Sequence, residues 1–331
     1  MRAIVFREGR KVSLESLPDP DPRPGEVIIA VKASGICHTD IEILKGNYGG
    51  SAFPLVPGHE FAGEVVAIGA DVTGINPGDR VVVDPNLGCG ICHACQRGRI
   101  NLCENLGAYG VTRNGGFADY CAVSASKLAP IGALDWGVAA LAEPLGCVLN
   151  GLSTLDGRIC ETATVFGGGP IGLLMALALK WRGTARVTVV DLSEDRLQLA
   201  GTFGLRAVSA LSSDLVALRH TQDFVADATG VAAVAADLTG YIRDGGAGLF
   251  FGVCDQSDRI EISPFEMFRR QLSLFGTHSL NANVADALPL LSRHEAEAAR
   301  IVSHRMTLEE ILSSFRNGAP VGALKVQLFN H

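Results

Sequence analysis

A glycine-rich turn after a short strand-like run places the strongest constraint on the fold of this chain. The run Thr162–Phe166 is rich in β-branched and aromatic residues and leads directly into Gly167–Gly172, which reads G-G-G-P-I-G and opens an apolar helical segment. Gly167 permits a tight turn, Gly169 lets the backbone approach a pyrophosphate, and Gly172 lets the helix pack closely on the strand. A helix N-terminus also attracts anions through its free N–H groups and its dipole. The turn therefore predicts a dinucleotide-binding βαβ unit, with cofactor contacts at Gly167, Gly169, Pro170, Ile171 and Gly172.

An acidic residue ends the next predicted strand. Asp191 follows the run Arg186–Val190, about 20 residues beyond Gly172, where the dinucleotide fingerprint has the carboxylate that binds the adenosine ribose hydroxyls. This carboxylate would repel a 2′-phosphate at close range, so the sequence favours NAD over NADP. Arg196, on the following helix, can stack on adenine or accommodate a phosphate, which leaves the preference open to some NADP use.

Through residues 151–284 the sequence predicts strands that alternate with helices at Pro170–Trp181, Ser193–Phe203 and Val231–Tyr241, and therefore a doubly wound parallel sheet in an α/β domain. Ligands of such sheets bind beyond the carboxyl ends of the strands. We expect further cofactor contacts from residues that follow predicted strand ends, namely Thr229, Gly252 and Val253. Residues 1–150 instead contain short alternating runs bounded by Gly, Pro, Asn or Asp, which predicts an irregular, mostly antiparallel β domain.

Length and charge agree with two domains and a small-molecule partner. A chain of 331 residues exceeds the size at which one hydrophobic core keeps growing, and 47% hydrophobic residues supply ample core material. The net charge of −7, with no dense Lys/Arg block, argues against binding to nucleic acid or to an anionic membrane surface. No apolar run is long enough to span a bilayer, and the charged N-terminus is unlike a signal peptide, so we expect a cytoplasmic protein.

Four cysteines crowd into one short glycine-containing segment and predict a metal site. In a reducing compartment such clustering indicates metal binding rather than disulfides. Four thiolates with no labile position are typical of a closed, structural zinc site. An iron–sulfur cluster or four free thiols are the alternatives. The proposed ligands are Cys89, Cys92, Cys95 and Cys103.

A second group of metal-binding residue types is dispersed along the chain. His59 and Glu60 are adjacent at a Pro-Gly turn where a strand begins, Cys37 precedes them, and Glu143 follows much later. Imidazole, thiolate and carboxylate are all zinc ligands, and a catalytic zinc needs three protein ligands and one open position. Because these residues are distant in sequence, only the fold can bring them together.

At this point the sequence resembles the zinc-dependent medium-chain dehydrogenase/reductase family over essentially its whole length. The resemblance rests on motifs that occur in family order. These are Gly35–Asp40 (GICHTD), Pro57–Gly63 (PGHEFAG), the four-cysteine segment, Gly115–Tyr120 (GGFADY), Glu143–Leu145 (EPL) and the nucleotide turn. Within the family the chain is most similar to the polyol branch, which includes sorbitol- and arabinitol-type dehydrogenases and is related to threonine dehydrogenases.

The resemblance implies a GroES-like catalytic domain made of residues 1–150 and completed by residues 285–331, with the NAD-binding domain at 151–284. It also implies a homodimer or homotetramer joined through the cofactor domains. Two zinc ions per subunit are implied, one catalytic and one structural. The implied catalytic ligands are Cys37, His59 and one of the carboxylates of Glu60 and Glu143, with the other carboxylate close behind or exchanging. Alcohol dehydrogenases have a second cysteine where this chain has Glu143.

The implied chemistry is oxidation of a secondary alcohol of a polyol or sugar to a ketone. Zinc would lower the pKa of the substrate hydroxyl, hydride would pass to C4 of the nicotinamide, and Thr39 would relay the proton. Many relatives relay it onward through a histidine where this chain has Glu42, so either Glu42 takes over or protons leave through water. We predict that Glu42→Gln shifts the alkaline limb of the pH profile, and an unchanged profile would remove Glu42 from the relay.

Two other functions remain open on the sequence alone. One is a threonine- or diol-type dehydrogenase of the same family, and the other is a non-catalytic NAD(H)-binding zinc protein. The joint presence of Cys37, Thr39, His59, Glu60 and Glu143 argues against the second. His278 and Asn281 fall where sorbitol-type enzymes have residues near the polyol, and we expect them to be polar substitutes there.

Overall fold

The chain leaves its first structural unit after Gly146 and returns to it at Leu280. In the computed structural model, which describes residues 1–330, the first unit comprises Met1–Gly146 and 280–330, and the second comprises Cys147–Ser279. Each unit has its own sheet. The predicted combination of a mostly antiparallel β domain and a doubly wound parallel-sheet domain is confirmed.

The helices and strands follow each other with short connections. In chain order the strands are β1 (Arg2–Arg7), β2 (Lys11–Ser16), β3 (Glu26–Gly35), β4 (Glu60–Ile68), β5 (Arg80–Val83), β6 (Asn86–Leu87), β7 (Gly107–Ala108), β8 (Tyr120–Ser124), β9 (Leu128–Pro130), β10 (Thr162–Phe166), β11 (Arg186–Asp191), β12 (Arg206–Ser209), β13 (Gln222–Asp227), β14 (Ile242–Phe250), β15 (Ser273–Gly276), β16 (Val302–Met306) and β17 (Lys325–Phe329). The α-helices are α1 (His38–Lys45), α2 (His93–Gln96), α3 (Trp136–Ala140), α4 (Ala142–Leu152), α5 (Pro170–Trp181), α6 (Glu194–Thr202), α7 (Ala232–Asp237), α8 (Pro264–Arg269), α9 (Val284–Arg293), α10 (Glu295–Ala299) and α11 (Leu308–Asn317).

The main sheet of the first unit has the order β16-β17-β3-β4-β5-β9, and β8 pairs with the other part of β3. All pairings are antiparallel except β16 with β17. Strand β3 is long enough to pair with three strands, and its last residues, Ser34 and Gly35, lie between Phe61 and Glu60 of β4 on one side and β17 on the other. The register therefore brings the start of β4 beside the C-terminal strand.

The sheet of the second unit is parallel and has the order β12-β11-β10-β13-β14-β15. Strand β10 lies between β11 and β13, so the strand order reverses beside it. Ligands of open parallel sheets bind at such a switch point, beyond the carboxyl ends of the strands. Here the glycine turn follows β10 and Asp191 ends β11.

The helix after the glycine turn has the predicted bounds, and its sequence explains why. Gly169 is its N-cap and Pro170 occupies the first turn, where a missing N–H costs nothing. Its run from Gly172 to Leu179 is buried throughout, as an apolar helix covered by a sheet should be. The next helix, α6, begins as predicted at Ser193, whose side chain accepts a hydrogen bond from the Arg196 N–H.

Several elements differ from the sequence-based expectation. Helices α1 and α4 and strands β12 and β16 have no counterpart in it. The predicted helix at 231–241 divides into α7 and a 3₁₀ turn at Leu238–Gly240. The strand expected at 117–123 begins only at Tyr120, because the backbone of Phe117 is bonded to Pro57 and Ile4 outside the main sheet.

Among residues 1–330, no helix has both the length and the apolar character required to cross a bilayer.

Candidate metal centre and nucleotide-binding edge

The first half of the candidate metal centre is the turn that opens α1. Cys37 is the N-cap of this helix, and its backbone N–H donates to Asp40 Oδ2 at 2.9 Å. The other oxygen of Asp40 accepts the Gly58 N–H at 3.2 Å. Asp40 is fully buried, so its carboxylate joins two turns that are distant in sequence and carry Cys37 and His59.

The imidazole of His59 faces Asp40. Its Nδ1 lies 3.6 Å from Asp40 Oδ1, and the residue is only 7% exposed. Burial opposes protonation, but the negative charges of Asp40 and Cys37 outweigh it and raise the pKa of His59 well above its ordinary value. A carboxylate at one ring nitrogen orients the imidazole and leaves Nε2 available to a metal.

Glu60 lies beside these two residues, in space that the missing side chain of Gly35 leaves open. It is 1% exposed and opens β4 opposite Gly35. A Cβ atom at Gly35 would overlap with Glu60 Oε2, so only glycine leaves room for the carboxylate at this position. Single ligand atoms of Cys37, His59 and Glu60 all lie within 4.8 Å of one another.

Lys325, which the sequence analysis missed, closes the cluster from the C-terminal strand. Its Nζ donates to Glu60 Oε1 at 2.7 Å and to the Ile36 carbonyl at 3.0 Å, and lies 2.5 Å from Glu60 Oε2. Burial opposes its charge, but the carboxylate of Glu60, together with Cys37 and Glu143, raises the pKa of Lys325. The available signal was a lysine at the start of an otherwise apolar strand.

Glu143 stands on α4 and is 6% exposed. Its charge contributes to the raised pKa of Lys325, which relates it to the same cluster. The group of ligand atoms within 4.8 Å of one another nevertheless contains Glu60 and not Glu143. The structure therefore brings together three of the four predicted catalytic ligands within direct binding range of one ion.

The donor set fits zinc. Thiolate, imidazole and carboxylate are its ordinary protein ligands, and His59 and Glu60 are buried while Cys37 is half-buried. Glu60 Oε2 lacks a hydrogen bond of acceptable geometry among the described residues although Lys325 Nζ is near. His59 Nδ1 likewise has only the longer contact with Asp40.

Thr39 and Glu42, the two residues of the predicted proton relay, both lie on α1. Thr39 is half-buried in the first turn. Glu42 accepts hydrogen bonds from Lys45 at 2.9 Å and Asn47 at 2.8 Å, and these bonds lower its pKa, Asn47 having the larger effect. Glu42 Oε1 also lies 3.5 Å from Nε2 of the exposed His38. These contacts favour the second alternative above, in which protons leave through water.

The four-cysteine segment is gathered into a compact lobe. Its four sulfur atoms lie within 4.8 Å of one another, and Cys92 Sγ is 3.8 Å from Cys103 Sγ. A tetrahedron with Zn–S bonds of about 2.3 Å has edges of about 3.8 Å. Backbone N–H groups of Cys89 and Asn105 point at Cys103 Sγ, both at 3.3 Å, and such donors stabilise a thiolate. The lobe thus fits a closed four-thiolate zinc site.

Asn281 serves this lobe. Its Oδ1 accepts the Ile100 N–H at 2.8 Å and its Nδ2 donates to the Gly98 carbonyl at 2.8 Å. Both polar groups of the side chain are therefore occupied by backbone that flanks the cysteines. Sequence position alone did not reveal these long-range bonds, and the expected place of Asn281 near the polyol stays a prediction.

In the second unit, the glycine turn and Asp191 meet at the carboxyl edge of the sheet. Gly167 has φ 104°, and a Cβ at Gly172 would overlap with the Gly167 carbonyl, so both positions require glycine. Asp191 Oδ2 accepts the Gly168 N–H at 2.5 Å and lies 3.5 Å from Arg196 Nη1. The Asp191 carboxylate therefore contacts the glycine turn, and the guanidinium of Arg196 lies beside it.

Thr229 and Gly252 lie together at the neighbouring strand ends. Thr229 donates from its backbone N and its Oγ1 to Asp227 Oδ1, at 2.8 and 2.6 Å. A Cβ at Gly252 would overlap with the backbone of Gly230, so these two loops are in close contact. Val253, which follows Gly252, is almost fully exposed at 91%. The cofactor roles of these residues stay predictions.

Comparison with known proteins places both units in one family. The GroES-like domain of alcohol dehydrogenases matches residues 23–133, and the zinc-binding dehydrogenase domain matches residues 170–293. The D-altritol 5-dehydrogenase of Agrobacterium fabrum is 51% identical, with 99% of each chain covered. The D-arabinitol dehydrogenase 1 of Uromyces fabae is 31% identical, over 98% of this chain and 96% of the relative. Among solved structures, a zinc-binding dehydrogenase of Sinorhizobium meliloti 1021 bound to NADP is 32% identical, with a TM-score of 0.95 and 99% of each chain covered.

Proposed function

We propose that this chain, which belongs to the zinc-binding alcohol dehydrogenase family, is a polyol dehydrogenase that oxidises a secondary alcohol of a polyol or sugar to a ketone. The observation that carries the proposal is the cluster of half-buried Cys37 with buried His59 and Glu60, whose ligand atoms lie within 4.8 Å of one another. The substrate class is supported by similarity to a D-altritol and a D-arabinitol dehydrogenase. A sensor that only binds the nucleotide has no use for such a cluster.

Different residues of the chain would bind the metal, orient one of its ligands and accept the proton of the alcohol. Zinc, when bound, supplies a Lewis acid that lowers the pKa of an alcohol hydroxyl, and a nicotinamide cofactor accepts the hydride. Cys37 and His59 would hold the metal with one carboxylate, and Asp40 keeps the imidazole oriented. Thr39, in the first turn of α1, would accept the alcohol proton.

The third zinc ligand is Glu60 or Glu143, and the geometry favours Glu60. Only Glu60 joins Cys37 and His59 within 4.8 Å in the described structure. Zinc content and kcat of Glu60→Gln and Glu143→Gln decide between them. The variant that loses the resident ligand should lose metal, whereas the other should retain it.

We propose NAD as the preferred cofactor. Asp191 ends β11, where the dinucleotide fingerprint has the carboxylate that binds the adenosine ribose hydroxyls. Two observations favour NADP instead: Arg196 lies beside Asp191, and the similar Sinorhizobium protein is bound to NADP. Comparison of kcat/KM for the two cofactors tests the assignment, and a tenfold or greater preference for NADP would overturn it.

The function is tested by following NADH formation with a panel of polyols that includes D-altritol and D-arabinitol, and with L-threonine and butane-2,3-diol as competing substrate classes. A chelator should abolish turnover and zinc should restore it. Cys37→Ser should be inactive, while Cys160→Ser, which changes a thiol of the other unit, should be active. A fully zinc-loaded protein that oxidises none of these alcohols would contradict the proposal.

The remaining expectations are also proposals. We infer a second, structural zinc in the four-cysteine lobe, a homodimer or homotetramer, and a cytoplasmic location. Two zinc ions per chain by elemental analysis, reduced to one in Cys103→Ser, would support the first. Light scattering and cell fractionation test the others.

A further inference from the structure

We propose that Lys325 is a positioning residue of the metal centre, which restrains the carboxylate of Glu60 and so sets how strongly this carboxylate binds the metal. The inference rests on the proposed function, because it takes the cluster of Cys37, His59 and Glu60 as the zinc site.

The contacts of Lys325 are too specific for a chance ion pair. Lys325 is the only lysine or arginine that is buried among residues 1–330, at 3% exposure. Its Nζ approaches both oxygens of Glu60, at 2.7 and 2.5 Å, and its third contact is the carbonyl of Ile36, the residue before Cys37. One ammonium group therefore joins the backbone next to one metal ligand to the side chain of another.

The position of Glu60 follows from this contact together with the space left open at Gly35. On one side, only a glycine leaves room for Oε2. On another side, Lys325 attracts both oxygens. A carboxylate between a buried ammonium and a metal ion is shared by two cations, and its bond to one is weakened by its bond to the other.

A purely structural explanation accounts less well for this arrangement. Burying an ammonium group is costly, and buried ion pairs are often replaceable by apolar residues of similar size without loss of stability. Strand β17 is otherwise apolar where it is buried, apart from Gln327. A methionine at position 325 would suit the strand, so the charge points to a role toward Glu60.

The test uses the metal-loaded protein and the variants Lys325→Met and Lys325→Arg, with Lys11→Met as a control that removes an exposed lysine of the same unit. Zinc transfer to a chromogenic chelator gives the release rate of the catalytic ion. Cobalt substitution gives a visible spectrum that reports the ligand set. Neither readout requires turnover, so a failure of the proposed polyol oxidation leaves this test intact.

Without the competing ammonium, Glu60 should bind the metal more strongly. We expect Lys325→Met to release metal roughly tenfold more slowly, because the carboxylate is no longer shared with a second cation, and to change the cobalt spectrum. Lys325→Arg should stay close to the parent protein, and Lys11→Met should equal it. Release rates and spectra of Lys325→Met that equal the parent would overturn the proposal.

Comparison of Glu60→Gln with the double variant Glu60→Gln/Lys325→Met tests the proposal even if Lys325→Met alone does not fold. Glu60→Gln/Lys325→Met removes both charges of the buried pair, whereas Glu60→Gln leaves the Lys325 ammonium without the carboxylate that pairs with it, so circular dichroism first establishes that both variants are folded. If Lys325 acts through Glu60, these two variants release metal at the same rate. A difference as large as tenfold between them would show that Lys325 acts on the metal without Glu60 and would overturn the proposal.

Discussion

Asp40 Oδ1 faces His59 Nδ1 at 3.6 Å, while Asp40 Oδ2 accepts the Cys37 N–H at 2.9 Å. One buried carboxylate thus orients the imidazole and fixes the turn of the thiolate. Because Cys37 and His59 belong to separate segments, we infer that their relative position depends on Asp40.

From this we predict that Asp40→Asn weakens metal binding without unfolding the protein. The amide oxygen can still accept the Cys37 N–H, but the hydrogen bond from the Gly58 N–H and the negative charge beside His59 are lost. Partners of metal-bound histidines typically contribute about 10–100-fold in metal affinity. Competition with a chelator measures the loss, and Asp21→Asn in the exposed proline-rich loop is the control. An unchanged affinity in Asp40→Asn would remove Asp40 from the metal centre.

Asn281 allows a separate test of the lobe. Asn281→Ala removes two hydrogen bonds to the backbone at Gly98 and Ile100 and should lower the free energy of unfolding by about 1–3 kcal/mol. The lobe should also release its zinc faster. Denaturant unfolding and chelator kinetics measure the two effects, with Asn317→Ala, a change of an exposed residue at the end of α11, as the matched control. A normal lobe combined with a selective rise in KM for the polyol would instead return Asn281 to the substrate site.

The pKa of Glu42 determines what Glu42→Gln can do. Hydrogen bonds from Asn47 and Lys45 lower this pKa, so the carboxylate is charged at neutral pH and stays charged as the pH rises. A group that keeps one protonation state cannot produce an alkaline limb. Contrary to the prediction from the sequence, we therefore expect Glu42→Gln to leave the alkaline pKa of kcat/KM in place. A displaced alkaline limb would mean that Glu42 does carry the proton.

Asp191 and Arg196 should act in opposite directions on cofactor choice. Replacing Asp191 with serine removes the charge that repels a 2′-phosphate, which at about 4 Å is worth at least ~1 kcal/mol. The ratio of kcat/KM for NAD over NADP should therefore fall by about tenfold. Arg196→Gln should raise this ratio, because the nearby cation is lost. If neither variant changes the ratio, cofactor choice is not made at this edge.

Local signals predicted the nucleotide half of the molecule well. The bounds of α5 follow from a glycine N-cap, a proline at the first turn and an apolar run, all contained in consecutive residues. The cap of α6 at Ser193 is similarly local. Such elements could be predicted because the residues that determine them are neighbours in the sequence.

The supports of the proposed metal centre could not be predicted from the sequence, because they are long-range. Cys37, His59 and Glu60 are recognisable ligand types, but Lys325 meets Glu60 across 265 positions of sequence. Helix α4, which carries Glu143, also escaped prediction, because Pro144, Gly146 and Gly151 within it are typical of loops. Residue type therefore indicated the ligands, and only the fold shows what holds them.

The same reasoning gives a prediction about Gly35. Its Cβ position overlaps with Glu60 Oε2, so Gly35→Ala must displace the carboxylate or shift β3. Overpacking of this kind typically costs about 1–3 kcal/mol of stability. Gly49→Ala is the matched control, because a Cβ there meets no atom within 4 Å and the change should stay within about 0.5 kcal/mol. Besides unfolding, the cobalt spectrum should change in Gly35→Ala and not in Gly49→Ala. An unchanged spectrum in a destabilised Gly35→Ala would show that Glu60 contributes to packing rather than to the ligand set.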